Sequence, residues 1–369
     1  VPPARNMRRR QGPGVSFGHE MNKILGVPQG LLACAHGGTS MTQWDPGLRG
    51  KGGHSLFGAM LRRVRKNGGR VAGLAWYQGC SDADPVNAPL YYDRFRKFVQ
   101  TIRRETRSPR LPVVIVQIAR VIRPTDETAR PWNLVQEAQR RLGETVPACV
   151  TVPAIDLELD DSIHIGAAGQ IRLGRRIAHA MAALRRVPGY RPPLVLKSIR
   201  SLPPTDLGTA VIEVRFGNVV GKLVSGSRPS GFGFTDPSGM PAAFIHRTEL
   251  RGDRVLLHTT TSIGMLSCYQ IHYGQGLDPY CNITDEADRS LPVFGPRPLQ
   301  DYQGFTPFVQ KFSVSRFVPS QVPVTHIAPP DPRDRKLGWE PVPTAAGFSN
   351  TRPRFLAAKD KPGYLFYAT

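Results

Sequence analysis

The sequence predicts an α/β protein: a three-layer α/β/α sandwich on a parallel sheet, followed by a smaller antiparallel β-sandwich. Three observations lead there. Between residues 31 and 184, short apolar runs alternate with stretches of helical period. One run, residues 112–119 (PVVIVQIA), is almost continuously apolar and β-branched, as suits a parallel strand covered on both faces. After residues 188–193 (PGYRPP) the pattern changes to short alternating segments punctuated by Gly, Pro and Asp.

The elements follow in order. Residues 31–35 (LLACA) read as a first buried strand. Residues 54–66 read as a helix, with Leu56, Met60, Leu61 and Val64 at helical spacing. Residues 71–77 (VAGLAWY) give a second strand, and residues 91–105 a helix with Phe95, Phe98, Val99 and Ile102 on one face. Residues 112–119 are the third strand, 132–143 a helix and 150–157 the fourth strand. A last helix at 167–184 directs Ile171, Ala178 and Met181 inward. Beyond the linker, residues 210–216, 243–247, 254–260 and 268–273 read as strands of the second sandwich. From about Pro298 the chain is Pro-rich, and residues 363–367 (GYLFY) look like one more strand. The expected domains are therefore 1–187, 188–297 and a 298–369 extension.

Composition narrows the function. The chain has 369 residues, is 40% hydrophobic and 21% charged, and has no apolar run long enough to span a membrane. Net charge is +21, which raises nucleic acid or an anionic polymer as a partner. Arg pairs recur at 62/63, 103/104, 140/141, 175/176 and 185/186, each within a helical stretch, and read as solvated faces. No basic motif interleaved with aromatics and no zinc-finger spacing supports nucleic acid. Five cysteines form no disulfide framework and no Cys-x-x-Cys metal site, and no cofactor is expected. Cys34 and Cys80 end apolar runs and read as buried thiols; Cys268 and Cys281 could pair in an oxidising compartment.

Ligands of parallel sheets sit at the carboxyl ends of the strands. Three polar segments end strands here. Asp161 and His164 stand three apart, before the last helix. A carboxylate on one imidazole nitrogen fixes the tautomer, and the other nitrogen then acts as a base near neutral pH. A plain helix cap uses the same residues. Gly37 and Gly38, followed by Thr39, let backbone N–H groups face an oxyanion, or form a tight turn. Gln78, Gly79 and Asp82 could line the same hole or hold the His loop. Ser16, Ser40, Ser81 and Ser162 lie near these segments, but none sits in a Gly-x-Ser-x-Gly elbow.

In order, the segments Gly12-Pro13-Gly14-Val15-Ser16-Phe17, residues 35–44 (AHGGTSMTQW), 76–83 (WYQGCSDA) and Asp161-Ser162-Ile163-His164 resemble the SGNH hydrolases. More narrowly they resemble the sialate O-acetylesterase group, which includes acetylxylan esterases of carbohydrate esterase family six. The resemblance covers about residues 12–185 and continues through residues 273–296, like the small β-domain of some sialate O-acetylesterases. It implies a carboxylic ester hydrolase removing acetyl groups from a carbohydrate, with His164 as base, Asp161 as its orienting acid and a Gly37 or Gly38 N–H in the oxyanion hole. It also implies an exported, periplasmic or extracellular protein, although no secretory signal follows Val1.

Two departures stand out. The resemblance places the nucleophile in Gly-Gln-Ser-Asn after a first strand upstream of residue 12, and the 369 residues contain no such motif. The expectation is that the first strand and its serine are missing and that turnover is weak. Where many members carry Glu after Gln-Gly, this chain has Cys80. The competing expectations are a carbohydrate-binding scaffold without turnover and a binder of anionic polymers.

Overall fold

The computed structural model describes residues 12–123, 129–299, 354–356 and 366–368. Its first part runs α1 (Gly14–Leu25), α2 (Leu56–Lys66), β1 (Leu74–Trp76), α3 (Tyr91–Glu105), β2 (Val113–Gln117), α4 (Arg130–Thr145), β3 (Cys149–Pro153) and α5 (Ala167–Leu184). The three strands lie parallel in the order β1-β2-β3, with Leu74 opposite Val113 and Val113 opposite Cys149. β2 is buried throughout, and its side chains alternate between two cores. Val113 and Ile115 join Phe57, Phe95, Phe98 and Leu142 from α2, α3 and α4. Val114 and Val116 join Met21, Leu173 and Ile177 from α1 and α5. Helices thus cover both faces of the sheet, as the continuous apolar run at β2 predicts.

The sequence reading needs correction at four places. Residues 31–35 form no strand; Leu31 and Leu32 are 47% and 37% exposed. An apolar run is buried only where a neighbour completes its hydrogen bonds and covers its face, and no described strand pairs with this one. Ile171 is exposed, because the inward stripe of α5 runs through Leu173, Ile177 and Met181 instead. The helix α1 escaped the periodicity reading; it packs on α5 where Gly174 admits Ser16 and the Pro13 carbonyl. Three of the Arg pairs send one member inside rather than into solvent: Arg103, Arg140 and Arg176 are all buried. Each guanidinium fork is satisfied there, for example by the carbonyls of Leu111, Pro147 and Ala148 around Arg103.

The second part is antiparallel. It comprises β4 (Val195–Ser201), β5 (Val211–Gly217), β6 (Leu223–Ser225), β7 (Phe232–Thr235), β8 (Pro241–Ala242), β9 (Ile245–Arg251), β10 (Arg254–Thr259), a short α6 (Ile263–Leu266), β11 (Gln270–Tyr273), β12 (Ile283–Asp285) and β13 (Phe294–Pro298). Two four-stranded sheets, β4-β5-β10-β9 and β13-β11-β7-β8, and the β12-β6 pair share one apolar core. Ile212, Val214, Val255 and Leu257 enter it from the first sheet, Phe234, Ile271, Tyr273 and Phe294 from the second. Gly252 and Asp253 make the two-residue turn between β9 and β10, which carries β9 four residues past the expected end at Arg247.

All described residues up to Leu299 fall in one compact unit, so residue 187 marks a change of pattern rather than a gap. Gln117 at the end of β2 donates to Val293 O and accepts from Val293 N, both at 2.9 Å. The linker is fixed as well: Arg289 donates to the carbonyls of Arg191 and Pro192. Asp156, buried after β3, takes both arms of Arg176, which also reaches Asp288. All five cysteines are free. Cys268 and Cys281, which could pair in an oxidising compartment, are not bridged: Cys281 is buried against Tyr273 while Cys268 is exposed after α6. In the second compact unit β14 (Arg354–Leu356) pairs antiparallel with β15 (Phe366–Ala368); residues 363–365 of the expected terminal strand lie outside the described residues. Among the described residues no helix is long and apolar enough to cross a membrane.

Candidate active site

Because β1, β2 and β3 are parallel, the loops after Trp76, Gln117 and Pro153 lie on one rim. Residues 37–41 join that rim through side chains. Gln78 Nε2 donates to Thr39 O at 2.9 Å and to Asp82 Oδ2 at 2.5 Å. The Asp82 carboxylate also accepts the Met41 N–H, at 2.9 and 3.1 Å. Asp82 is fully buried, and burial raises its pKa against the pull of Gln78, the Met41 amide and Arg94. The turns at 37–41 and 78–82 are therefore one bonded unit.

That unit is anchored from below. Gln78 O accepts from Gln139 Nε2 at 2.8 Å and from Tyr91 Oη at 3.0 Å. Gln139 Oε1 accepts from Ile118 N at 2.9 Å, which ties the loop after β2 to the same point. Gly79 has φ 149°, and a Cβ there would lie 2.7 Å from Gln139 Nε2. Trp44 and Trp76 meet edge to face at 5.1 Å and rest on Phe98 beneath the turns.

These contacts sort the expected site residues. Gly37 and Gly38 are exposed at the rim, Gly38 with φ 67°. Thr39, Gly79 and Asp82 are buried behind it. The Thr39 hydroxyl donates to His36 O and accepts from Trp44 Nε1, so it braces the turn. The Gln78 amide nitrogen is likewise committed to protein acceptors. Sequence reasoning missed Tyr91 and Gln139. One signal was available: Gln139 occupies the stripe of α4 that also carries Val135 and Leu142.

His164 Nδ1 lies 2.7 Å from Asp161 Oδ2. The other carboxylate oxygen accepts the N–H groups of Ile163 at 2.9 Å and His164 at 2.7 Å. Those bonds, the Ile163 amide first, hold the Asp161 pKa down at about 2. An ionised Asp161 assigns the proton to Nδ1 and leaves the Nε2 lone pair free to accept. Asp161 is not the helix cap that its position suggested: α5 begins after Gly166, with no side-chain cap. The pair is open to solvent, with side chains 64% and 55% exposed.

The His loop is a small closed turn. Leu159 bridges Ile165, and Asp160 N donates to His164 O at 2.8 Å. Ile122 N donates to Ser162 O at 2.8 Å, and Val121 N to Leu277 O at 2.7 Å. Arg120 pairs with Glu158 at 2.8 Å and with Asp278 at 2.6 Å. The second part of the chain thus reaches the rim, through a contact that no local motif shows.

The rim carries an exposed imidazole bonded to a carboxylate, together with exposed glycine amides. Among the described residues no hydroxyl or thiol hydrogen-bonds to His164 Nε2. Ser16 is engaged elsewhere, with Pro13 O and Gln170 O. Burial pushes the Cys80 thiol up to about 11, so it carries no thiolate at neutral pH.

The family model for carbohydrate esterases described as sialic acid-specific acetylesterases matches residues 3–183. Residues 3–183 belong to that family. A probable carbohydrate esterase from Arabidopsis thaliana is 31% identical over 176 residues, 46% of this chain and 62% of that protein. The solved structure of a carbohydrate acetylesterase from Xanthomonas citri has TM-score 0.61 at 22% identity, covering 76% of this chain and 64% of that one. The chain thus spans less than two thirds of either relative. The span matched to the sialic acid-specific acetylesterases contains His164, Asp161 and both rim turns, and the shared fold continues beyond it.

Proposed function

We propose that this family member removes acetyl groups from an acetylated carbohydrate by ester hydrolysis. The reading rests on one observation: the 2.7 Å Asp161–His164 pair stands on the strand-end rim with its imidazole exposed to solvent. In this reading His164 Nε2 takes the proton of the attacking hydroxyl as its oxygen bonds to the acetyl carbon. Gly37 and Gly38 amides receive the negative charge on the carbonyl oxygen. The proton then returns to the sugar oxygen as the ester bond breaks, and water, giving its proton to the same imidazole, attacks the acetyl ester so formed, releasing acetate and restoring the hydroxyl. Asp161 stays ionised and stabilises the imidazolium. In this reading the rim belongs to the first expected domain, 1–187, and Leu277 and Asp278 of the second, 188–297, brace it. Sugar identity and export follow the family reading.

The test is acetate release from acetylated xylan and from O-acetylated sialic acid, with p-nitrophenyl acetate as a generic ester. Loss of a general base costs about 10²–10⁴-fold, and His164→Ala is expected to fall in that range. A rate indifferent to His164→Ala removes the imidazole from this role. The second reading is a binding shell without turnover, favoured by the lack of a described hydroxyl on His164 Nε2. It predicts retention on acetylated xylan with no acetate released.

A further inference from the structure

The rim opposite the candidate site is cationic. α2, α3 and α5 end there, beside the starts of the parallel strands. Lys66, Arg70, Arg107, Arg110, Arg185 and Arg186 are exposed in the turns that follow these helices. Arg185 Nη1 donates to Ala72 O, which joins the turns after α2 and α5. Arg110 and Arg186 flank an open groove of about 460 Å³ floored by Ala148, Ala183 and Leu184. None of the six makes an ion pair with a described residue, whereas the nearby carboxylates are taken: Glu105 by Arg49 and Arg65, Glu144 by Arg140.

Cations near helix C-termini favour the helix dipole, which explains part of this arrangement. It does not explain two of the positions. α3 and α5 end in matching turns, Ser108 N to Arg103 O at 2.9 Å and Val187 N to Ala182 O at 3.0 Å. The left-handed residue of each turn is Arg107 at φ 52° and Arg186 at φ 58°. Glycine is the usual residue there, because a side chain strains that conformation. Two arginines stand at strained positions, near Arg110 and Arg185, with no anion to hold among the described residues.

We infer that this rim is a binding surface for an acidic polysaccharide, which would hold a polymeric substrate against the protein on the side away from the rim that bears His164. Guanidinium forks match carboxylate and sulfate oxygens. Tyr190 after α5 is half-buried with its ring 5.3 Å from that of His179, and no other aromatic lies among the described residues of these turns to stack a base, which disfavours single-stranded nucleic acid. The choice of polysaccharide over duplex DNA rests on the carbohydrate esterase reading. The surface itself does not, since binding is read without turnover.

The test measures binding of the 369-residue chain to polygalacturonate, heparin, neutral dextran and duplex DNA between low and physiological salt. Expected is saturable binding to the acidic polysaccharides, none to dextran, and a steep loss with salt. The triple variant Arg107→Gly, Arg110→Gln, Arg186→Gly is expected to weaken binding at least tenfold and flatten the log–log salt slope by about two to three. Its midpoint of thermal unfolding should hold or rise, because glycine relieves both strained turns. A control triple on other surfaces, Arg96→Gln, Arg215→Gln, Arg251→Gln, removes the same charge and should weaken binding far less. Equal loss in both triples would reduce the effect to net charge and overturn the site. Tighter binding to DNA than to either acidic polysaccharide would overturn the partner. Absence of esterase activity would leave these outcomes readable, since no substituted residue belongs to the candidate active site.

Discussion

At Gly79 one missing methyl group decides whether the rim can form. Its φ of 149° is a conformation that side chains avoid, and an added Cβ would press on Gln139 Nε2 at 2.7 Å. That nitrogen is the donor that holds Gln78 O. Gly79→Ala is therefore expected to combine backbone strain with a lost buried hydrogen bond and destabilise the protein by roughly 2–4 kcal/mol. Urea unfolding checks this; a change below about 0.5 kcal/mol, the scale of ordinary surface substitutions, would show that the turn relaxes freely. The same contact marks the limit of reading residues from sequence. Asp161 and His164 are three apart, so their pairing is a local matter and the residue types alone suggest it. Gln78 and Gln139 are separated by 61 residues, and Arg120 and Asp278 by 158. Side chains that position a site across such separations leave no trace in spacing. Thr39 and Asp82 were visible as polar residues near glycines, but spacing could not tell a residue that faces substrate from one that braces the turn behind it.

Elements were legible where their burial pattern is self-contained. β2, α3 and α4 follow from an apolar run or a single apolar stripe, because each is covered by neighbours on the faces that its own sequence marks. Residues 31–35 carry a strand-like run with no described partner strand, so the same pattern yields an extended, exposed segment. The second part was only half legible, since β6, β7, β12 and β13 are short and gain their stability from pairing across long separations. The end of β2 shows what joins the two parts. Gln117 is fully buried and spends its amide on Gln136 O and on both backbone groups of Val293. Gln117→Leu keeps the volume and strands both backbone groups of Val293, an expected loss of about 2–4 kcal/mol. Hydrogen exchange should then show β13 losing protection ahead of β2. Protection falling equally in both strands would mean that the amide is not what couples them.

At the scale of the whole molecule, charge and burial combine to set the response to acid. The chain carries a net +21 already at neutral pH, so each further proton taken up by the unfolded state is added to a self-repelling polymer. One buried group makes the direction explicit. Burial lowers the pKa of His272 on β11 from 6.5 to about 4, and its Nδ1 has no partner among the described residues. Above pH 6.5 the ring is neutral in both folded and unfolded chains and leaves stability independent of pH. Between pH 6.5 and about 4 the unfolded chain binds a proton that the folded one refuses, so stability falls as pH falls, by about 1.4 kcal/mol per unit. Below about pH 4 the folded ring is protonated too and the slope from this group ends. The carboxylates with lowered pKa, Glu137, Glu213, Glu249 and Asp161 among them, begin to lose their contribution as pH falls towards the ordinary carboxylate values of 4.5 and 3.8, at the foot of this window, while Asp82, raised by burial, acts in the opposite sense. In the upper part of this window, between pH 6.5 and about 5 and above the carboxylate range, acid destabilisation is assigned to His272, about 2 kcal/mol. Urea unfolding at half-unit steps of pH should show this slope in the parent and its disappearance in His272→Gln. A slope that survives the substitution would place the acid sensitivity in other groups.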